Sequence, residues 1–383
     1  MISSRIGTAA RLIVPVVGAL IATNGTAQVI VHYTADDLAR APQWALAEPD
    51  LALGVVDGDQ SFVFSGLGRI QVIGDGSIAV TNWAPPEIRV FDGNGRHLHS
   101  TGSEGSGPGE FVQPTQLFRL GSDSLVTWDI AQARGPVYST RGEYGRQVRL
   151  PDRPRASVAG AFEDGTLLIL SMTYGPTADG GSRRVSYNGV LHADTDGAIV
   201  DSLGWIPGVQ LVRIPEVGYW TNPTFSPQGF AVAGPRTVWL ADGSSPRLRE
   251  LDRSGRLVSE VTWDPGDRRV TDEEVELFWQ AYEARGEDFA ESARSRRHLP
   301  TAPEFPATGR LMIDADELIW VQVNTRPSQP DQRWLIFDSE RTLIARLQAP
   351  EGFSVRDASA GQVYGVAKDE WDVERVERRV IRR

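Results

Sequence analysis

The chain contains no cysteine. Disulfides and thiolate catalysis are thereby excluded, and so is a lipid anchor, which needs a cysteine to acylate. Long apolar runs are also missing. The longest, Leu12 to Ala22, has about 11 residues and is too short to span a bilayer. No cluster rich in lysine or arginine stands out along the chain, and the basic end Arg375 to Arg383 is interleaved with Glu374 and Glu377. With a formal charge of −11 the protein has no general field for nucleic acid or an anionic membrane. No Gly-x-Ser-x-Gly occurs, so a nucleophile elbow is not supported. Of the five histidines, His97 and His99 share one face of a strand. That strand is expected to be an outer, solvent-facing one, and no third ligand completes a zinc site.

Glycine (39) and proline (24) are plentiful and spread along the 383 residues, which suits short strands joined by tight turns. The N-terminus reads as an export signal. Arg5 and Arg11 are the only charges before the apolar run, and Gly25 and Ala27 supply the small residues that signal peptidase requires. Cleavage is expected after Ala27, leaving a lead segment at 28–43 and an extracytoplasmic (periplasmic or secreted) protein without a membrane span. The formal charge then moves from −11 to −13, because two arginines leave and no acid does.

The informative feature is a recurring unit of four short strands. In its clearest copy Ile70 and Val72 alternate before Gly74-Asp75-Gly76, and Ile78 and Val80 follow. After a loop come Ile88, Val90 and Phe91, the turn Asp92-Gly93-Asn94-Gly95, and a fourth strand to Thr101. Period-two alternation between Gly-containing turns marks antiparallel hairpins. Further copies centre on Leu125 to Gly142, Leu167 to Gly197, Val238 to Gly255 and Ile319 to Asp338. A sixth, from Gly361 to Val380, runs out of chain after about three strands. A ring of such meanders covers faces and edges that one sheet cannot cover alone. The expected fold is therefore all-β, a six-bladed β-propeller over residues 44–383. Its last blade is completed by an N-terminal strand within 51–64. Residues 264–300 are expected to be a helical insertion. Thr271 and Glu274 have capping-box spacing there, and Val275, Phe278, Trp279 and Tyr282 follow at helical intervals, a stripe expected to pack as core. Residues 204–224 are expected to form a long ordered loop.

The run Gly102-Ser103-Glu104-Gly105-Ser106-Gly107-Pro108-Gly109-Glu110-Phe111-Val112-Gln113-Pro114 resembles the NHL-type six-bladed propellers, as does Phe91-Asp92-Gly93-Asn94-Gly95. The whole chain is similar to a group of secreted bacterial six-bladed propellers. The shared features are Val363 to Glu370 and the insert followed by Leu299-Pro300 and Phe305-Pro306. The resemblance implies a fold but no agreed reaction. Phe111 is expected to pack between adjacent blades. The glycine run precedes neither a helix nor a lysine and so is not a P-loop.

In a propeller the loops after each second strand gather on one face around the channel. Aligned on that strand, the units end in Asn82, Asp129, Ser171, Asp242, Val323 and Ala367. The expected ligand-binding rim comprises Asn82, Trp83, Trp128, Asp129, Tyr174, Asp242, Asn324, Arg326, Lys368 and Asp369. Individually, Asp or Asn at such a place caps its own turn. The leading expectation is a non-catalytic, monomeric propeller that binds a small ligand or a protein partner, without a cofactor. Two alternatives remain open. One is a calcium-dependent hydrolase or lactonase using Asn82, Asp129 and Asp242 as oxygen ligands. Against it, Val323 and Ala367 offer no side-chain oxygen. The other is an envelope scaffold that meets partners through the helical insert.

Overall fold

A computed structural model describes residues 17–23, 26–150, 155–178, 181–214, 218, 220–323, 326–369 and 373–383. These residues form six antiparallel blades, each with four strands numbered from the channel outwards. Blade 1 is Leu67–Val72, Ile78–Trp83, Pro86–Phe91 and His97–Thr101. Blade 2 is Pro114–Leu120, Ser124–Asp129, Arg134–Ser139 and Tyr144–Arg149. Blade 3 is Ala156–Ala161, Leu167–Ala178, Arg183–Ala193 and Ile199–Arg213. Blade 4 is Phe230–Ala233, Thr237–Ala241, Arg247–Asp252 and Leu257–Trp263. Blade 5 is Leu311–Ile313, Ile319–Val323, Arg333–Phe337 and Leu343–Gln348. Blade 6 supplies Ser354–Ser359, Gln362–Lys368 and Glu374–Arg382 from its own unit.

The fourth strand of blade 6 comes from the N-terminal side, as the short last unit requires, but it is Gln43–Leu53 rather than a strand within 51–64. Leu53 pairs with Val376 and Ala45 with Arg382. Residues 55–64 instead turn through a short 3-10 helix, Gln60–Phe62, capped by Asp59. The physical reason is anchoring at both ends. Trp44 enters the core between blades 5 and 6, and Leu53 enters the core between blades 6 and 1. The N-terminal side, including part of the expected signal segment 1–27, also does more than the sequence suggests. Thr26–Tyr33 adds a parallel strand outside Leu257–Trp263, and Val17–Thr23 pairs with it in turn. Tyr33 is buried, and its hydroxyl donates to Arg341 O at 2.7 Å and accepts from Leu343 N at 2.8 Å in blade 5. The rest of the expected signal segment, with Gly25, lies outside the described residues.

Blades pack through separate apolar cores, one between each neighbouring pair. The core between blades 1 and 2 contains Ile88, Phe111 and Tyr138, and that between blades 2 and 3 is built on Trp128, Val158 and Ile169. Phe162, Val190 and Leu240 join blades 3 and 4, while Trp263, Val321 and Phe337 join blades 4 and 5. Phe111 packs edge-on to Tyr138, with ring centroids 6.4 Å apart. Gly102 is necessary above it. Its φ is +80°, and a Cβ there would lie 2.3 Å from the Phe111 ring.

The repeated turn has a single hydrogen-bond design. An Asp side chain accepts from the backbone N–H groups two and four residues on. Asp92, Asp194, Asp252 and Asp338 all do this, and Ser139 does it through its hydroxyl in blade 2. This is why Asp-x-x-Gly recurs at Asp92, Asp194 and Asp252: the carboxylate closes the turn before the fourth strand.

Two segments differ from expectation. The first half of 204–224 is not loop, since Ile199–Arg213 is one long strand that tolerates Gly204 and Pro207 at register shifts against the third strand. Within 264–300 the helices are confined to Asp272–Glu283 and Glu287–Arg296. The Thr271 side chain accepts from Glu274 N, but the Glu274 carboxylate does not return the bond; it accepts from Ser328 N and the Ser328 hydroxyl in blade 5. No helix among the described residues is long and apolar enough to cross a membrane.

Candidate functional site

The rim separates into two halves. In blades 1, 2 and 6 its polar groups are consumed by their own loops. Asn82 is fully buried, accepts from Ser65 N at 2.9 Å and donates to Pro85 O at 3.0 Å. Asp129 is fully buried and accepts from four backbone N–H groups, those of Val112, Gln113, Ala131 and Gln132, and from the Gln132 side chain. Trp128 lies wholly inside the core between blades 2 and 3. These three therefore offer a ligand no surface, a departure from the expected rim. Trp83 is 46% exposed, Lys368 is exposed, and Asp369 closes its turn on Val373 N and pairs with Arg375 at 2.8 Å.

The glycine run of the first unit is likewise closed on itself. Glu110 accepts from Gly107 N at 2.7 Å, Arg134 donates to Ser106 O and Glu110 O, and the Tyr138 hydroxyl donates to Gly109 O. His97 and His99 are half-buried, not solvent-facing. His97 packs on Phe91, and His99 Nε2 lies 3.1 Å from Thr140 O of the next blade.

Blades 3 to 5 differ. The long hairpin of blade 3, the connection after Trp220–Thr221 and the stretch 300–305 that follows the helices enclose a cleft of about 660 Å³. Its wall is largely apolar, with Pro176, Val185, Leu211, Pro223, Pro300 and Phe305 among its side chains. The expected rim residues of this half stand one layer behind that wall. Tyr174 carries the guanidinium of the lining Arg184 over its ring at 5.1 Å, and Trp220 lies 5.3 Å from the same group. Asp242 accepts from Ser244 N, Ser245 N and Arg247, which fixes the lining Ser244. Arg326 stacks over the lining Phe305 at 5.3 Å and donates to Asp267 O. Asn324 lies outside the described residues.

Helix Asp272–Glu283 roofs this region. Phe278 lies 5.1 Å from Phe225, which lies 4.8 Å from Phe305, and Trp279 is buried beside Tyr282. The aromatic stripe thus packs inward. The lining residues Val185 and Leu211 escape sequence reasoning because alignment on second strands looks at loop ends, whereas these lie on strands longer than the repeat allows.

Arg183, Arg184, Arg268 and Glu304 supply the charged groups of the cleft wall. Arg268 donates to Ser244 O and Phe305 O and pairs with Glu304 at 2.5 Å. Asp242 is held below the ordinary carboxylate range: a burial penalty is outweighed by the donors of Ser245, Ser244 and Arg247. Asn82, Asp129 and Asp242 each serve a different loop. Among the described residues no three acidic or histidine side chains gather as a metal would require.

Residues 57–197 match the DUF5128 family model, described as a 6-bladed beta-propeller. The chain is also similar to a protein from Bacteroides fragilis that is described as exported. The TM-score is 0.51 at 14% identity, covering 92% of this chain and 99% of that one. A member of the duf4221 family from Bacteroides vulgatus gives a TM-score of 0.50 at 10% identity, covering 90% and 99%. None of the curated proteins matches this chain. At such identities the likeness speaks for fold alone. The fold is a six-bladed propeller, and the resemblance carried by Phe91 to Gly95 and Gly102 to Pro114 stands.

Proposed function

We propose that this is an exported, non-catalytic binding propeller, and that its ligand or partner segment lies in the cleft between blade 3 and the helical insert. The cleft itself carries this reading. It is a large apolar hollow on the loop-rich face, built from segments that exceed the repeat. A hydrolase needs oxygen ligands and a base aimed at one point. Here the carboxylates closest to such a role are saturated by backbone N–H groups. The ligand that fits is an elongated, mainly apolar molecule or the apolar segment of a protein. Export rests on Arg5, Arg11, the short apolar run and Gly25 with Ala27. Mass spectrometry of the exported protein is expected to find a chain beginning at Gln28; an uncut chain in the membrane fraction would make the N-terminus an anchor.

The cleft is tested with the neutral apolar dye Nile red. Its fluorescence is expected to rise with the wild-type protein and to fall back in Leu211→Arg, whose melting curve stays cooperative. Equal fluorescence with both proteins overturns the cleft. Calcium is expected to leave the melting temperature unchanged. A true calcium site at about 100 times its dissociation constant would stabilise the fold by roughly 2.7 kcal/mol, and such a shift would restore the hydrolase.

A further inference from the structure

The first strands of all six blades line a central channel of about 1040 Å³. Its wall is unevenly built. Blades 1, 5 and 6, neighbours around the ring, contribute Arg69, Arg310 and Arg356, and blade 2 adds Arg119. The opposite wall, from blades 3 and 4, is mixed: Ala159, Ala161, Phe230 and Val232 stand beside Ser157, Asn188 and Gln228.

Three arginines facing one another in a partly buried channel need counter-charge, because a buried charge without a partner costs free energy. Among the described residues no ion pair reaches Arg69, Arg310 or Arg356. Arg310 donates to Val355 O at 2.6 Å, and Arg356 Nε is buried without a partner. Four of the five nearby carboxylates are engaged elsewhere. Asp357 accepts from Val72 N, Gln71 and Ala358 N. Asp314 accepts from Asp316 N, Leu318 N and the Trp320 indole. Glu163 pairs with Arg236, Glu374 accepts from Leu67 N at 2.7 Å, and Glu317 stands exposed. Burial pushes Arg310 down to about 9, with Arg356 and then Arg69 adding to the effect. Arg69 is lowered by burial and by Arg356, and Arg356 by burial against a partial offset from Glu374. The three guanidiniums therefore feel one another.

We propose that the channel is a second binding site, independent of the cleft, for a small organic dianion whose oxyanion groups meet Arg69, Arg310 and Arg356 while its apolar body lies on Phe230 and Val232. A guanidinium presents a planar fork that matches carboxylate and phosphate oxygens alike. A dicarboxylate and a phosphate monoester share this chemistry. In an acidic protein the arrangement admits anions at a place the general field would not.

The test is calorimetry and thermal shift at fixed ionic strength with phthalate, phenyl phosphate and inorganic phosphate. Phthalate or phenyl phosphate is expected to bind at least about tenfold more tightly than inorganic phosphate, since only they reach the apolar wall. The tighter of the two identifies the source of the oxyanion. Arg69→Gln/Arg356→Gln is expected to abolish binding. Arg310→Lys, which keeps the charge and loses the fork, is expected to weaken it by about tenfold while the fold is retained. Absence of binding by all three anions, equal binding by inorganic phosphate, or binding that survives in the double variant overturns the proposal. Binding lost in Leu211→Arg but kept in the double variant would move the anion to the cleft and overturn only the channel.

Discussion

Asp252 and Asp314 close turns of the same design in two different regions. Asp252 lies in an outer turn of blade 4 and accepts from Ser254 N and Arg256 N at 2.9 and 3.1 Å. Asp314 lies in the inner turn of blade 5 and accepts from Asp316 N and Leu318 N, both at 2.9 Å. The first is lowered to about 2: a burial penalty is outweighed by the Ser254 hydroxyl, the Arg256 guanidinium and the two backbone N–H donors together. The second is raised to about 6, because burial dominates and no cation answers it. One local pattern thus has opposite electrostatics at the two radii of the ring. Outside, charges are paired and serve the turns. Around the channel, the carboxyls of Asp314 and Asp357 are pushed towards neutrality, and among the described residues no ion pair reaches Arg69, Arg310 or Arg356, which leaves positive charge available to a ligand.

The largest expected effect that sharpens this contrast is at Asp357. Burial raises its carboxyl to about 7 while Val72 N and Ala358 N donate to it. Asp357→Ala strands those N–H groups at the junction of blades 6 and 1 and is expected to cost about 3 kcal/mol in urea unfolding, against about 1 kcal/mol for Asp252→Ala. Equal losses would mean that radius does not matter.

The pH dependence comes next. The folded pKa of Asp314, about 6, lies above its unfolded value, so its protonated form favours folding. Its contribution is complete below about pH 4 and is lost as pH rises through 6, a difference of about 3 kcal/mol at most. Asp252 works the other way, contributing above about pH 4 and losing that contribution as pH falls towards 2. Denaturant midpoints measured from pH 3 to 8 are expected to show Asp314→Asn gaining on the wild type as pH rises. A constant difference would break the comparison.

Smaller effects follow from the arginines. Arg310→Met is expected to raise the stability of the unliganded protein by about 1 kcal/mol, since it removes a partly buried charge that lacks a counter-ion. Arg256→Met, which removes an exposed partner of Asp252, is expected to lower it by about 0.5 kcal/mol. Differential scanning calorimetry at low salt distinguishes the signs, and a loss in both variants would place the channel arginines in structural roles.

Much of this architecture was legible in the sequence. The Asp-Gly and Asp-x-x-Gly turns mark the strands, and the Gly102 to Phe111 run marks a blade boundary. The shortfall at the C-terminus required an N-terminal closing strand. Its position is not legible in the sequence, because Leu51 to Phe64 looks as strand-like as Gln43 to Leu53, and only the cores that receive Trp44 and Leu53 distinguish them. The rim was read from strand ends. At Asn82 and Asp129 the side chain caps its own loop. Arg69, Arg310 and Arg356 are not legible as a group in the sequence, because no sequence cluster holds them.

The sequence by itself determined the class of fold, the turn chemistry and the need for closure, because hairpins and Asx turns are local and their residues lie within a few positions of one another. Only the tertiary structure decided where ligands can go. Each blade is packed on both faces, so alternation along a strand does not tell channel from core. Arg69 and Arg356 are 287 residues apart in the chain and share a wall only because the ring closes.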